Sequence, residues 1–87
     1  MQKRILIIED EESIRDMVAF ALRKADMQPV HAADASAALL AIAESIPDLI
    51  LLDWMLPGTS GMELARRLRK DDIAREIPII MLTARGE

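Results

Sequence analysis

The sequence contains no cysteine, no tyrosine, one tryptophan and one phenylalanine among its 87 residues. Without cysteine, neither a disulfide framework nor a thiolate metal site can form. Aromatic residues make up only 2% of the chain, so the core must be built from Ile, Leu, Val, Ala and the six Met residues. The lack of cysteine is compatible with the cytosol, and we expect a cytoplasmic protein.

Long apolar runs and an excess of basic charge are also missing. No segment approaches the ~20 apolar residues of a membrane span, and acids follow the first apolar run at once, unlike in a signal peptide. The formal net charge of -4 argues against binding of nucleic-acid phosphates by this segment. The remaining composition, 52% hydrophobic and 30% charged, is typical of one globular domain.

Strand and helix patterns alternate along the chain. Apolar runs at 4–8, 28–32, 48–53 and 77–82 predict strands, and helical apolar spacing predicts helices at 12–25, from Asp34 or Ser36 to Ser45, and after Ser60. We expect Met17, Met62 and Met81 to fill gaps in the core. The order βαβαβαβ predicts an α/β fold with a parallel sheet, right-handed crossovers and helices on both faces.

Polar side chains follow three of the predicted strands. Glu9 and Asp10 follow the first, Asp53 ends the third, and Thr83 follows the fourth. Open parallel sheets bind ligands beyond the carboxyl ends of their strands, where the strand order switches. If the first and third strands are neighbours, Asp10 and Asp53 converge, and at ~4 Å they repel by about 4 kcal/mol at an effective dielectric of ~20. Either one of them is protonated or a hard cation such as Mg2+ binds.

Each of these residues alone has a simpler explanation. The acids from Glu9 to Glu12 can complement a helix N-terminus, and Asp53 can be a solvated strand end. Thr83 fits a turn residue as well as a phosphate ligand. Only the placement of both acids after buried strands favours a site.

Three motifs resemble the receiver domains of two-component response regulators. They are Ile7-Ile8-Glu9-Asp10-Glu11, the run from Pro47 to Asp53 continuing Trp54-Met55-Leu56-Pro57-Gly58, and Met81-Leu82-Thr83-Ala84-Arg85. Their spacing matches along essentially the whole chain, most closely to the OmpR/PhoB class and its phosphate-regulon regulators. The resemblance implies the flavodoxin-like (CheY-like) doubly wound sheet with strand order 2-1-3-4. Receivers are themselves a standard example of this fold, so the site at the switch point is not independent of the resemblance.

The resemblance also implies roles for individual residues. Asp53 is the phosphoacceptor, and Thr83 and the Ala84 amide contact phosphoryl oxygens. Mg2+ is bound by Asp10, Asp53 and the Met55 backbone carbonyl, with Glu9 ordering a metal-bound water. The phosphoryl donor is a sensor histidine kinase, and His31 is not that donor.

The family pattern continues beyond this sequence. Receivers carry another helix, a fifth strand and a last helix, and a lysine after the fifth strand neutralises the phosphoryl group. Lys3, Lys24 and Lys70 all lie outside the motifs. We therefore expect residues 1–87 to be a receiver domain truncated after the fourth strand. In the full-length protein, the resemblance implies dimerisation on phosphorylation, transcription control through a C-terminal DNA-binding domain, and no membrane contact.

Three other functions can be compared with the sequence. A magnesium-dependent phosphohydrolase of the haloacid-dehalogenase type carries Asp-x-Asp after a strand, whereas Asp53-Trp54-Met55 lacks the second acid. A nucleotide or flavin binder would need a glycine-rich or hydroxyl-rich loop after the first strand, where the acids Glu9 to Glu12 would repel phosphate without a metal. A non-phosphorylated docking module, a receiver remnant, is the alternative that the motifs themselves do not separate from a phosphoacceptor.

Overall fold

A four-stranded parallel sheet with helices on both faces forms the fold. The computed structural model describes residues 2–82. In chain order the elements are β1 Arg4–Ile8, α1 Glu12–Lys24, β2 Gln28–Ala32, α2 Ala35–Glu44, β3 Leu49–Leu52, β4 Met55–Leu56, β5 Thr59–Ser60, α3 Gly61–Arg69, a 3-10 turn Ala74–Glu76 and β6 Ile79–Met81. The parallel strands lie in the order β2-β1-β3-β6. Because β6 is the fourth parallel strand along the chain, the predicted order 2-1-3-4 is confirmed.

Short polar side chains fix where two of the helices begin. The Asp34 carboxylate accepts a hydrogen bond of 2.8 Å from the amide of Ala37, and so caps α2. The Ser60 hydroxyl accepts one of 3.0 Å from the amide of Glu63, and so caps α3. Each cap satisfies an amide that has no partner inside its helix, typically stabilising the helix by about 1 kcal/mol.

The register of β1 against β3 brings their carboxyl ends level. Asp48, just before β3, accepts a hydrogen bond of 2.8 Å from the Arg4 amide through its side chain, and its own amide donates to the Arg4 carbonyl. From that start the strands run in parallel until Ile8 lies beside Leu52. The residues after these two partners therefore leave the sheet at the same height.

The main core lies between the sheet and the helices α2 and α3. Alternate strand residues point to opposite faces of a sheet. Strand side chains on one face of the sheet pack against α2, α3 and the segment before β6. The strand residues are Leu6, Ile8, Ile50 and Leu52, and the residues that pack against them are Ala38, Ile42, Leu64, Leu68 and Ile77. On the other face, α1 contacts β1 and β2, where Ile5 and Ile7 are buried.

The structure corrects the predicted roles of two methionines. Met17 is 65% exposed and Met62 is 38% exposed, so neither fills the core. On α1 Ala19 is buried and Ile14, Val18 and Leu22 are partly buried, so the side of the helix that faces β1 and β2 runs beside Met17 and not through it. Met81 is partly buried against the core, as predicted.

Two further segments differ from the sequence prediction in detail. The segment between β3 and α3, where no strand was predicted, contains the small antiparallel hairpin of β4 and β5. The fourth strand begins only at Ile79, after Pro78, which has no amide to donate to a neighbouring strand. No helix within residues 2–82 is long and apolar enough to span a membrane.

The strand β6 lies at one edge of the sheet in the described part of the chain. Its central residue Ile80 is 53% exposed beside Leu51 of β3, on the face that α1 only partly covers. An uncharged edge strand with free backbone groups is a template for pairing with another chain.

We predict that the 87-residue chain associates through β6 and that Ile80→Lys reduces this association, because a charge on an edge strand opposes edge-to-edge pairing. Sedimentation velocity over a range of concentrations measures it. Ile73→Lys is the matched control, because Ile73 is 58% exposed but lies outside the sheet. A monomeric parent chain, or equal association in both variants, would contradict this role of the edge.

Candidate metal centre

Three carboxylates meet at the carboxyl ends of β1 and β3. Glu9, Asp10 and Asp53, here called the acidic cluster, each place one oxygen within 4.8 Å of the others. The amide of Asp53 donates to the Ile8 carbonyl at 2.9 Å, which continues the β1–β3 pairing up to the cluster. The predicted convergence of Asp10 and Asp53 is therefore present, and Glu9 joins them.

Repulsion within the acidic cluster is substantial. Two unit charges 4.8 Å apart repel by roughly 3 kcal/mol at an effective dielectric of about 20. Asp10 is exposed and Asp53 partly buried, so water screens part of this energy. Such an arrangement favours a bound cation or a shared proton.

Glu9 is the buried member of the acidic cluster, with 2% of its surface exposed. Its Oε2 accepts a hydrogen bond of 3.1 Å from the Glu11 amide, while its buried Oε1 has no partner among the described residues. Burial raises the pKa of Glu9 above the ordinary 4.5, and the negative charges of Asp53 and Asp10 raise it further, against the lowering effect of the Glu11 amide. A buried acceptor oxygen without a donor suits a cation or a metal-bound water.

The backbone of Asp53 is held from the other side by the start of α3. The Gly61 amide donates to the Trp54 carbonyl at 2.7 Å. A Cβ atom at position 61 would clash with the Asp53 carbonyl oxygen. Gly61 therefore allows α3 to begin directly against the proposed phosphoacceptor, a close approach that any side chain would prevent.

The other predicted site residues are described only in part. Met55 lies in β4 with its side chain 56% exposed, and the assignment of its carbonyl to a metal stays a prediction. Thr83 and Ala84 lie outside the described residues. The amide of the preceding Leu82 donates to the Leu52 carbonyl at 2.8 Å, so the chain still runs beside β3 at that point.

Two features next to the cluster were not predicted from the sequence. Arg15 of α1 donates to the carbonyl oxygens of Glu9 at 3.2 Å and of Asp10 at 3.5 Å. The position of Arg15 in an amphipathic helix, five residues after Asp10, is the sequence feature from which its contact could have been predicted. For the contact of Gly61 with Asp53, the only such feature is a glycine at the start of a helix, which is less specific. Trp54 is 40% exposed directly after Asp53 and can report on the site by fluorescence.

The donor set of the acidic cluster fits Mg2+. This ion prefers carboxylate oxygens and water, and one or two carboxylates with several waters are its usual protein ligands. The cluster offers exposed oxygen from Asp10, oxygen from Asp53 and the unpartnered Oε1 of Glu9. It contains no nitrogen or sulfur ligand that would favour a softer metal.

Comparison with known sequences matches the response regulator receiver domain over residues 5–87. The phosphate regulon transcriptional regulatory protein PhoB of Escherichia coli is 52% identical over all 87 residues. The match covers 100% of this chain but only 38% of that protein, so the chain spans less than half the length of this curated relative. The predicted resemblance to phosphate-regulon regulators is confirmed.

Solved structures agree with the sequence match. The N-terminal domain of a response regulator receiver protein from Methanoculleus marisnigri aligns with a TM-score of 0.93 at 32% identity, covering 100% of this chain and 71% of that one. The receiver domain of a sensor histidine kinase from Pseudomonas aeruginosa aligns with a TM-score of 0.89 at 29% identity, covering 98% and 70%. In that structure a magnesium ion is coordinated in the active site cleft.

We predict that Gly61→Ala displaces the Asp53 backbone and weakens Mg2+ binding, because the added methyl group meets a carbonyl oxygen that cannot move independently. Overpacking of this kind typically costs about 1 to 3 kcal/mol of stability. Gly58→Ala is the control: Gly58 also disfavours alanine, with φ of 83°, but its Cβ would meet nothing within 4 Å. Trp54 fluorescence measures the Mg2+ affinity of both variants. Equal affinities would show that Gly61 does not position Asp53.

A second prediction concerns pH in the metal-free protein. Because the pKa of Glu9 is raised on folding, the folded state binds this proton more tightly than the unfolded chain. The Glu9 contribution to the free energy of unfolding is therefore full below pH 4.5 and is lost as the pH rises through the raised folded pKa. Glu9→Gln should flatten this part of the pH dependence and stabilise the metal-free protein at pH 7, while weakening Mg2+ binding.

Urea unfolding in the presence of a chelator, from pH 4.5 to pH 8, measures the effect. Glu44→Gln, an exposed glutamate at the end of α2, is the control for loss of one negative charge. The same pH dependence in the parent chain and in Glu9→Gln would contradict the assignment of this proton to Glu9.

Proposed function

The chain belongs to the response-regulator receiver family, and we propose that it accepts a phosphoryl group from a sensor histidine kinase on Asp53, with Mg2+ at the acidic cluster. The observation that carries the proposal is the convergence of Glu9, Asp10 and Asp53 at the level carboxyl ends of neighbouring parallel strands. A simple helix-capping role for the acids would not bring Asp53 to the same point.

Asp53 has the chemistry of an acceptor that needs no activating base. As an ionised carboxylate it uses one oxygen to form the new bond to phosphorus, while the N–P bond of the donor phosphohistidine breaks and its nitrogen keeps the electron pair. The product is an acyl phosphate. Its placement after β3, beside Ile8 and against Gly61, holds the backbone that carries the attacking carboxylate, and positioning is the main task in phosphoryl transfer.

Asp10 and Glu9 serve the reaction by holding Mg2+ near the phosphoryl group. Asp10, which is exposed, is proposed as a direct metal ligand, and the buried Glu9 as the residue that orders a metal-bound water. Bound Mg2+ supplies neutralisation of the charge on the phosphoryl oxygens. The Met55 carbonyl, the Thr83 hydroxyl and the Ala84 amide complete the proposed contacts, by resemblance to the family.

The proposed setting of this domain follows its relatives. The chain covers 38% of a protein named as a transcriptional regulator. We propose that residues 1–87 are the first part of a receiver in a cytoplasmic two-component regulator. Its output would be a C-terminal DNA-binding domain that dimerises when Asp53 is phosphorylated, and this segment itself would contact neither DNA nor a membrane.

Two rival functions make different demands on the same site. A non-phosphorylated docking module would keep the surface of the domain but would not form an aspartyl phosphate. A phosphohydrolase of the haloacid-dehalogenase type needs a second acid two residues after the nucleophile, where this chain has Met55 in the β4 strand. The other two carboxylates of the acidic cluster come instead from the residues directly after β1. This arrangement favours the phosphoacceptor.

We predict that acetyl phosphate with Mg2+ adds one phosphoryl group, on Asp53, and that Asp53→Asn abolishes the adduct because an amide cannot form the acyl phosphate. Intact mass measurement and peptide mapping detect it. The reaction is run on the 87-residue chain and on an extended chain, in which residues 1–87 continue into the remaining receiver segment of the Escherichia coli relative. The extended chain should react faster, because that segment supplies the family's phosphoryl-neutralising lysine.

Asp26→Asn is the matched control for this experiment. Asp26 has a positive φ of 63°, which asparagine also tolerates, and it lies in the turn after α1. This variant should be phosphorylated like the parent. A stable adduct on Asp10 or Asp48 would overturn the choice of acceptor, and no adduct in the extended chain would favour the docking module.

A further inference from the structure

Arg15 places a positive charge next to the acidic cluster without neutralising it. Its Nη1 donates to the backbone carbonyls of Glu9 and Asp10, at 3.2 and 3.5 Å. Within residues 2–82, the ion pairs shorter than 4.0 Å are Arg66 with Glu63 and Arg75 with Glu76, so Arg15 pairs with no carboxylate there. The guanidinium is thus used as a donor to the main chain of two acidic residues.

The segment that Arg15 contacts is the one that carries two members of the cluster. Its ends are held by ordinary main-chain bonds: the Glu9 amide donates to the Ala32 carbonyl at 3.0 Å, and the Arg15 amide donates to the Glu11 carbonyl at 3.1 Å. Between these points, the carbonyls of Glu9 and Asp10 accept from the Arg15 side chain. A charged donor strengthens a hydrogen bond to a carbonyl, and by distance the bond to the Glu9 carbonyl is the stronger of the two.

Mutual repulsion acts on this same segment. The carboxylates of Glu9 and Asp10 are both pushed away from Asp53, and the backbone between β1 and α1 is the part that can yield. We propose that Arg15 is a positioning residue for the metal site: by fixing the carbonyls of Glu9 and Asp10, it keeps both carboxylates directed at Asp53. This inference rests on the proposed magnesium site, which it extends to a residue outside the acidic cluster.

The charge of Arg15 and its hydrogen bonds to the backbone have opposite expected effects on Mg2+ binding, so the two roles can be distinguished. A cation near the cluster repels Mg2+, so removing it should tighten Mg2+ binding if Arg15 acts only through its charge. If Arg15 holds the backbone, removing it should weaken binding instead. Loss of a group that orients metal ligands typically costs about 10 to 100-fold in affinity.

The experiment titrates Mg2+ alone into the 87-residue chain and into the extended chain, following Trp54 fluorescence. Arg15→Met keeps an unbranched side chain of about the size of the aliphatic part of arginine and removes both its charge and its donors. We expect it to weaken Mg2+ binding by about tenfold or more. Arg15→Lys retains the charge with a single point donor in place of the planar fork, and should recover part of the affinity.

Arg23→Met is the matched control, because Arg23 lies exposed in the last turn of the same helix and its loss removes the same charge. Its Mg2+ affinity should equal that of the parent. Urea unfolding of each variant shows whether stability changes separately. A merely structural Arg15 would lower stability but leave the affinity of the folded extended chain unchanged.

The possible results distinguish this inference from the proposed function. If the parent binds Mg2+ and Arg15→Met binds it equally or more tightly, the positioning role is wrong while the magnesium site stands. If the parent does not bind Mg2+ even in the extended chain, both the site and the role of Arg15 are overturned. Faster amide exchange at Asp10 and Glu11 in metal-free Arg15→Met would support the role directly.

Discussion

Mutual repulsion among three carboxylates is the constraint on which the functional end of this domain depends. The oxygens of Glu9, Asp10 and Asp53 lie within 4.8 Å of one another, and their repulsion would separate them if the fold did not hold them. The rest of the structure holds them there. The Asp48–Arg4 pairing sets the register of β3 against β1, and Gly61 lets α3 begin against the Asp53 backbone. In the absence of a cation, folding must therefore overcome the repulsion among these carboxylates.

Burial gives the members of the acidic cluster different roles. Glu9 is nearly inaccessible and has an oxygen without a donor among the described residues, and its burial raises its pKa in the metal-free protein. Asp10 is exposed to solvent. Asp10 and Asp53, the more open carboxylates, are the ones proposed to bind the metal directly and to accept the phosphoryl group, while the pKa of the buried Glu9 responds to the charges around it.

The sequence predicted the arrangement of the sheet and the meeting of Asp10 with Asp53, because both depend on strong signals. Buried parallel strands appear as continuous apolar runs, and alternation with helices leaves few ways to connect them. Asp34 was among the predicted caps for the same kind of reason, a short acceptor before an apolar helix. By resemblance, the family motifs then predict the phosphoacceptor at one of these strand ends.

What the sequence did not predict depends on contacts that periodicity does not encode. Met17 is apolar on an amphipathic helix, yet α1 packs through Ala19, since apolar residues occupy more than one stripe of that helix. The β4–β5 hairpin is too short for a strand pattern. Arg15 donates to main-chain carbonyls, so its contact could not be predicted from a complementary side chain in the sequence.

The most direct test of this account is the Mg2+ affinity of the parent protein beside Asp10→Asn, measured by Trp54 fluorescence in the extended chain, together with the unfolding free energy of each without metal. If the carboxylates are held together against their repulsion, Asp10→Asn should bind Mg2+ at least severalfold more weakly and should be no less stable when metal-free. Mg2+ should also stabilise the parent against urea, since it binds only the folded state. Equal Mg2+ affinity in the two proteins would contradict the account.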